Sequence, residues 1–331
     1  MGDILHSMPA VTALRLAHPE WVIGWAIEPQ WQGLFCANGC HPRTATMPLV
    51  DRIHIVPAKR WAKSPLRPAT WTDMLRVRRE LRSMQYDVVV EMQGAVRAAM
   101  VARWAHSQRI VGEAVPRETP ARWFFDQKVP TRGVHVIEQS MEVANAIFDE
   151  DLHLALPLLP CDPAAQASAA QLPQPFVLLS PGAGWGAKRW PADRYGAVAH
   201  QLTEAGYAVF INGGPAEEYL GRAIVASSGG AARVLTLDMA DLIAVTRRAA
   251  LAIAGDTGPL HLASALGRPV VGIYGPTDPA RNGPFHGPGR VLRHPESVRD
   301  HARRSEPEAG LLTITPEAVT DAALELLREA R

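Results

Sequence analysis

Short apolar runs alternate along this chain with glycine-containing turns and amphipathic stretches. The runs predict strands at residues 22–27, 52–56, 87–91, 109–112, 176–180, 208–212, 251–255 and 270–274. Helical stretches between them include residues 71–84, 94–105, 191–205, 216–227 and 258–266. Strands that alternate with helices form parallel sheets covered by helices on both faces. The predicted fold class is therefore α/β.

A proline-rich stretch divides the chain into two halves. Prolines recur through residues 156–175, which disfavours a continuous strand or helix and predicts a linker. We therefore predict a first domain over 1–155, a second over 176–315 and a terminal helix over 316–331, capped by Thr315 with Pro316 at its first position. The first domain opens on Gly2 and Asp3 without the leading strand that such domains normally have.

Composition argues against a strongly basic, a membrane-spanning and a disulfide-rich protein. The net charge is only +1, so affinity for anions must come from local clusters. No apolar run reaches the roughly 18 residues of a transmembrane helix, and the first residues lack signal-peptide features. Three cysteines are too few for a disulfide framework, and Cys36, Cys40 and His41 lack a fourth zinc ligand. Free thiols, no metal site and a cytosolic location are expected.

The strongest local signal follows the predicted strand 251–255. Asp256, Thr257 and Gly258 precede a helix that carries His261 one turn later. Amides at a helix N-terminus are unpaired and partly positive, so they suit a phosphate, and Gly258 permits close approach. The alternative is an ordinary N-cap made by Asp or Thr, with a structural histidine behind it.

A second signal leaves the predicted strand 176–180. Residues 180–191 contain three glycines, Lys188 and Arg189 between two tryptophans, and Pro191 at the start of a helix. Exposed amides and two basic side chains can bind a diphosphate. The glycine spacing fits neither a P-loop nor a dinucleotide fingerprint, and the alternative is a solvated glycine loop.

Three weaker signals complete the set. Glu217 and Glu218 begin a predicted helix, where acidic residues stabilise the helix dipole or bind ribose hydroxyls. Asp3 is either a general base or an N-terminal cap. Lys59, Arg60 and Lys63 follow a predicted parallel strand, at the ligand-binding edge of a sheet, where a basic surface loop is the alternative.

These segments together resemble glycosyltransferase family 9, the lipopolysaccharide heptosyltransferases. The family's early motif matches residues 1–9, and its Gln-Gly pair matches Gln93 and Gly94. Its glycine–Lys-Arg-Trp-Pro loop matches residues 181–191, and its Asp-Thr-Gly-x-x-His motif matches 256–261. The resemblance covers residues 1–278 in order, although the family's leading strand is absent here.

The resemblance implies a GT-B fold, in which two Rossmann-like domains with parallel sheets face a central cleft. It implies Asp3 as general base and Lys188 as the group that stabilises the leaving diphosphate. The donor would contact Gly182, Ala183, Lys188, Glu217, Glu218, Asp256, Thr257, Gly258 and His261. The acceptor would contact Lys59, Arg60, Lys63, Gln93, Arg97 and Arg117. The basic cluster resembles heptosyltransferase I and the donor loop heptosyltransferase II, so both types remain open.

The implied activity is inverting, metal-independent transfer of a heptose. The donor would be ADP-heptose, without a further cofactor, and the acceptor the lipid-linked Kdo region of the lipopolysaccharide inner core. Peripheral contact with the cytoplasmic face of the inner membrane is a further expectation, and no nucleic acid partner is expected. The alternatives are a GT-B sugar-nucleotide epimerase and a non-catalytic or truncated sugar-nucleotide-binding protein.

Overall fold

The computed structural model describes residues 1–214, 218–297 and 305–330. Its contacts divide the chain into two compact units. The N-terminal unit is His6–Pro160, and the C-terminal unit combines Met1–Leu5 with Cys161–Arg331. The division falls inside the proline-rich stretch, but the first five residues lie with the second half and not with the first.

The C-terminal unit is built on one sheet of six parallel strands. In chain order the elements are α6 (Pro163–Ala169), β6 (Phe176–Ser180), α7 (Ala192–Glu204), β7 (Ala208–Asn212), α8 (Glu218–Ser227), β8 (Ala232–Leu235), α9 (Met239–Arg248), β9 (Leu251–Gly255), α10 (Gly258–Ala265), β10 (Val270–Tyr274), α11 (Pro279–Asn282), β11 (Gly289–Arg293) and α12 (Pro316–Glu329).

The strand order of this sheet is β11-β10-β9-β6-β7-β8, and every pairing is parallel. The order reverses between β6 and β9, as in doubly wound nucleotide-binding folds. All residues of β6, β9 and β10 are buried, which explains their continuous apolar sequences. The predicted α/β class is confirmed.

The N-terminal unit contains two separate parallel sheets. Its elements are α1 (Gly2–Ala17, entering from the other unit), β1 (Gly24–Ile27), β2 (Arg52–Ile55), α2 (Ala58–Lys63), α3 (Pro68–Ser83), β3 (Val88–Glu91), α4 (Val96–Trp104), β4 (Arg109–Glu113), β5 (Gln127–Val129) and α5 (Val136–Asn145). Strand β1 pairs with β2, and β4 lies between β3 and β5. The three valines of β3 are only half-buried, although equally apolar strands of the other unit are fully buried.

The predicted linker is partly helical. Helix α6 begins inside it because Asp162 accepts hydrogen bonds from the amides of Ala164 and Ala165, while Pro163 occupies the first helical position. Proline fits that position because its missing amide hydrogen has no partner there in any helix. At the other end of the unit, Thr315 caps α12 as predicted, through a bond from the Ala318 amide.

The prediction of free thiols is wrong for two of the three cysteines. Cys36 and Cys40 form a disulfide with Cα atoms 5.5 Å apart, whereas Cys161 is free. Gly39 adopts a positive φ of 63°, and this turn brings the two close residues together. Among the described residues, no helix is both long and apolar enough to cross a bilayer.

Candidate active site

The candidate site lies where the strand order of the C-terminal unit reverses. The loop after β6 carries Lys188 in a short 3₁₀ turn, Gly186–Lys188. The loop after the neighbouring strand β9 carries Asp256 and leads into α10. In doubly wound folds, adjacent strands that connect in opposite directions leave a crevice at their carboxyl ends, where ligands bind.

Lys188, Asp256 and His261 form a connected group at this point. The Lys188 ammonium donates to one carboxylate oxygen of Asp256, and the other oxygen lies 3.1 Å from His261 Nε2. The side chains of Asp256 and His261 are 4% and 6% exposed, whereas that of Lys188 is 15% exposed. Lys188 is thus accessible to a ligand, while Asp256 fixes its position from the buried side.

The electrostatics of the group keep Asp256 ionised. Burial by itself raises the pKa of this carboxyl, but hydrogen bonding and charge from His261 and Lys188 outweigh burial and hold the pKa well below its usual range. The Lys188 ammonium also lies 4.8 Å from the centroid of the Trp185 ring, within cation–π distance. The ionised Asp256 therefore fixes the positions of Lys188 and His261 through its two carboxylate oxygens.

Helix α10 starts beside this group without a side-chain cap. Thr257 is the N-cap residue, but its hydroxyl donates to the Gly255 carbonyl, 3.3 Å away, and does not cap the helix. Asp256 is occupied by Lys188 and His261. The ordinary N-cap interpretation therefore fails, and the partly positive helix start favours an anion.

The first turn of α1 packs against the same group. A Cβ atom added to Gly2 would lie 3.1 Å from His261 Cδ2, and one added to Gly258 would lie 2.6 Å from Met1 Sδ. Both glycines therefore permit close approach between the chain start and α10. Asp3 follows Gly2 directly in the first turn of α1, and its side chain is exposed. A carboxylate is thus placed in the same compact unit as Lys188.

The other predicted donor contacts are distributed unevenly. Gly182 and Ala183 are partly buried in the loop between β6 and Lys188. Glu218 is exposed in the first turn of α8 and pairs with Arg222, 3.2 Å away. Glu217 lies outside the described residues. Arg189 donates to the Tyr219 hydroxyl at 2.8 Å, so its guanidinium serves the packing of α8.

The predicted acceptor residues on α2 lie in the N-terminal unit. Lys59, Arg60 and Lys63 are exposed on this six-residue helix. Arg60 is held by Asp73, which also accepts a bond of 2.8 Å from the Trp61 indole. The helix therefore presents a basic surface on a fixed support.

The remaining acceptor candidates surround the turn after β3. Gly94 has a φ of 65°, and a Cβ there would lie 2.7 Å from the Arg117 amide nitrogen. The Gly94 carbonyl accepts from Glu118, so the loop that carries Arg117 lies against the turn that carries Gln93. The side chains of Gln93, Arg97 and Arg117 are exposed. The structure therefore brings the Gln-Gly pair and Arg117 together.

Glu91, at the end of β3, is a buried acid that sequence reasoning missed. It accepts hydrogen bonds of 2.9 Å from the amides of Gln93 and Gly94 and so holds their turn. Burial raises the pKa of this carboxyl to about 7, despite these bonds. An acidic residue at the end of an apolar strand, two residues before Gln93, was the available signal.

Comparison with known proteins identifies the family of this chain. The model of glycosyltransferase family 9 (heptosyltransferase) matches residues 74–309. This chain belongs to glycosyltransferase family 9. Among the curated members, lipopolysaccharide heptosyltransferase 1 of Pseudomonas aeruginosa is 28% identical over 293 residues, covering 86% of this chain and 79% of the relative. Lipooligosaccharide heptosyltransferase 2 of Haemophilus influenzae is 26% identical, covering 99% and 96%.

Solved structures of the family have the same fold. Escherichia coli heptosyltransferase WaaC with ADP gives a TM-score of 0.80 at 25% identity, covering 98% of this chain and 97% of that one. The glycosyltransferase family 9 protein from Veillonella parvula gives 0.82 at 22% identity, covering 99% and 95%. The family 9 resemblance, the GT-B fold and the classification as a glycosyltransferase are therefore confirmed.

Proposed function

We propose that this family 9 member moves a heptose from an ADP-heptose donor to the Kdo region of the lipopolysaccharide inner core, with inversion and without a metal. The related heptosyltransferases support heptose as the sugar. The solved structure of WaaC with ADP supports ADP as the nucleotide. The observation that carries the proposal is the ion pair of Lys188 with Asp256 beside the uncapped start of α10.

The donor diphosphate lies against Lys188 and the amides around Gly258. The backbone of Gly182 and Ala183 lines the same loop, and Glu217 or Glu218 holds the ribose. His261 supports the site from the buried side through Asp256. These fixed positive groups face the oxygens on which charge develops as ADP leaves. They therefore perform the task that a divalent metal performs in other transferases.

Asp3 acts as the general base. It takes the proton from the acceptor hydroxyl while that oxygen forms a bond to the anomeric carbon. The bond between the anomeric carbon and the β-phosphate oxygen breaks on the opposite face, and its electron pair leaves with ADP. Asp3 belongs to the same compact unit as Lys188, and Gly2 beside it packs on His261, which supports this role.

The acceptor is anionic, and basic side chains of the N-terminal unit bind it. Kdo carries a carboxylate, which suits the exposed cations at Lys59, Arg60 and Lys63. Gln93, Arg97 and Arg117 form a second set of contacts. The bond pattern around Glu91 keeps the Gln93 turn in one conformation.

The Asp3→Asn variant tests the base. We expect turnover of ADP-heptose and a Kdo acceptor to fall about 10²–10⁴-fold, because a positioned base contributes that factor. ADP affinity, measured by calorimetry, should stay unchanged. Asp87→Asn, at another exposed aspartate, is the matched control and should keep full activity. Loss of ADP binding in Asp3→Asn would contradict the assignment.

The Lys188→Ala variant tests the leaving-group site. Removing one partner of a buried charge pair should weaken ADP binding by about 30-fold or more, whereas Lys128→Ala, at an exposed lysine on β5, should not.

Added EDTA should leave the rate of heptose transfer unchanged. A rate that EDTA abolishes and Mg²⁺ restores would refute the metal-independent mechanism.

A further inference from the structure

Large apolar side chains are exposed on helix α3 and just before it. Leu66, just before the helix, is 89% exposed, and Trp71 and Leu75 are 57% and 49% exposed. Trp71 and Leu75 are four residues apart, so they lie next to each other on one helix face. The buried residues Thr70, Val77 and Leu81 lie on a different face, about a third of a turn around the helix. Exposed apolar groups clustered in this way mark an interaction site.

Basic side chains surround these apolar groups. Arg67 lies beside Leu66, and Arg78, Arg79 and Arg82 continue the exposed side of the helix towards its end. We call this set the α3 surface; its members are Leu66, Arg67, Trp71, Leu75, Arg78, Arg79 and Arg82. No ion pair among the described residues involves its four arginines. Residues 58–83 contain eight basic and two acidic side chains, whereas the whole chain has a net charge of only +1.

The two acids of this segment are already engaged on other sides. Asp73 is held by Arg60, Arg76 and the Trp61 indole. Glu80 bonds His54, 2.7 Å away, as well as Arg76. Neither carboxylate therefore neutralises the arginines of the α3 surface, whose positive charge remains available to a partner.

We propose that the α3 surface docks on a bilayer containing anionic phospholipid. Leu66, Trp71 and Leu75 enter the headgroup boundary, and the four arginines contact lipid phosphates. Tryptophan and leucine flanked by arginine are the side chains that partition into that boundary. Nucleic acid uses cations with stacking aromatics and gives Leu66 and Leu75 no role. The proposal rests on the proposed function only in that a lipid-linked acceptor lies in such a bilayer.

Sedimentation of the full chain with vesicles tests this docking. The vesicles consist of phosphatidylcholine alone, or of phosphatidylcholine with about 30 mol% phosphatidylglycerol, which gives a negative surface potential. Binding should require the anionic lipid. The triple variant R78Q/R79Q/R82Q should bind on the order of 100-fold more weakly, because each basic residue near an anionic surface contributes about fivefold.

Matched controls separate the α3 surface from general charge and hydrophobicity. R132Q/R248Q/R328Q removes the same charge from exposed arginines elsewhere and should bind as the parent does. W71A/L75A should lose about tenfold or more in binding, because each apolar side chain contributes to partitioning. Trp123→Ala, at a tryptophan that is 78% exposed, should lose nothing. Thermal melting confirms that each variant is folded.

Two results would overturn the proposal. One is equal loss of vesicle binding in the two triple arginine variants, and the other is equally tight binding of the parent to a DNA duplex and to anionic vesicles.

Heptose transfer to a water-soluble acceptor distinguishes this proposal from the proposed function. R78Q/R79Q/R82Q should keep that activity, and a parent that binds vesicles but transfers no heptose would refute the proposed function alone.

Discussion

Replacing Asp256 by Asn removes the charge that holds Lys188 and His261 in place. Breaking a buried pair from one side costs about 3–5 kcal/mol. The cost should lie at the lower end, because Lys188 is 15% exposed and can gain water, and because an amide oxygen can still bond His261. A loss of about 3 kcal/mol lowers the melting temperature of a domain of this size by about 6–12 °C.

The pH dependence of this loss follows from the lowered pKa of Asp256. A carboxyl whose pKa is lower in the folded than in the unfolded state stabilises the fold above its unfolded pKa, here near 3.8, and the contribution is lost as the pH falls further. The difference in free energy of unfolding between parent and Asp256→Asn should therefore be constant from about pH 8 to 5 and shrink below about pH 4.

Scanning calorimetry at several pH values measures this difference, and amide hydrogen exchange of peptides from β9 and α10 assigns it to the site. Asp321→Asn, at an exposed aspartate of α12, is the matched control and should change stability by less than about 0.5 kcal/mol. Equal stability of parent and Asp256→Asn at pH 7, or a difference that persists undiminished at pH 3, would refute the reasoning.

Three further changes test other parts of the structure. A Cβ on Gly186 would lie 1.6 Å from the Ser305 carbonyl oxygen, so Gly186→Ala should cost about 1–3 kcal/mol and weaken ADP binding in calorimetry. Because the pKa of Glu91 is raised to about 7, this residue stabilises the fold below about pH 4.5, and the stabilisation is lost as the pH rises through about 7. Glu91→Gln should remove this pH dependence, which amounts to at most about 3 kcal/mol in the free energy of unfolding. Replacing Cys36 and Cys40 by serine should cost about 2 kcal/mol in denaturant unfolding, because the loop is short.

The buried strands of the C-terminal unit could be predicted from the sequence. Strands β6, β9 and β10 are five-residue apolar runs bounded by turns, and this pattern predicts each of them at its observed residues. Strands β8 and β11, at the two edges of that sheet, were missed. They carry arginines and are partly exposed, so no continuous apolar run marks them.

The site could be predicted residue by residue but not as an arrangement. Lys188 and Asp256 were each recognised from the loop around them, but they are 68 residues apart and no local pattern joins them. The same holds for Gly2 and His261, which meet only because α1 starts against α10. Contacts of this kind arise from tertiary packing, which short-range periodicity does not report.

The separation of the N-terminal unit into two sheets affects the order in which the protein unfolds. Within the part of the chain that the structure describes, β1 and β2 pair only with each other, so they have little cooperative support and should open at a small fraction of the global unfolding free energy. Heat or protease would then damage the N-terminal unit first. Under the proposed function, in which that unit binds the acceptor, ADP binding would outlast sugar transfer and would be a poor measure of how much active enzyme a preparation contains.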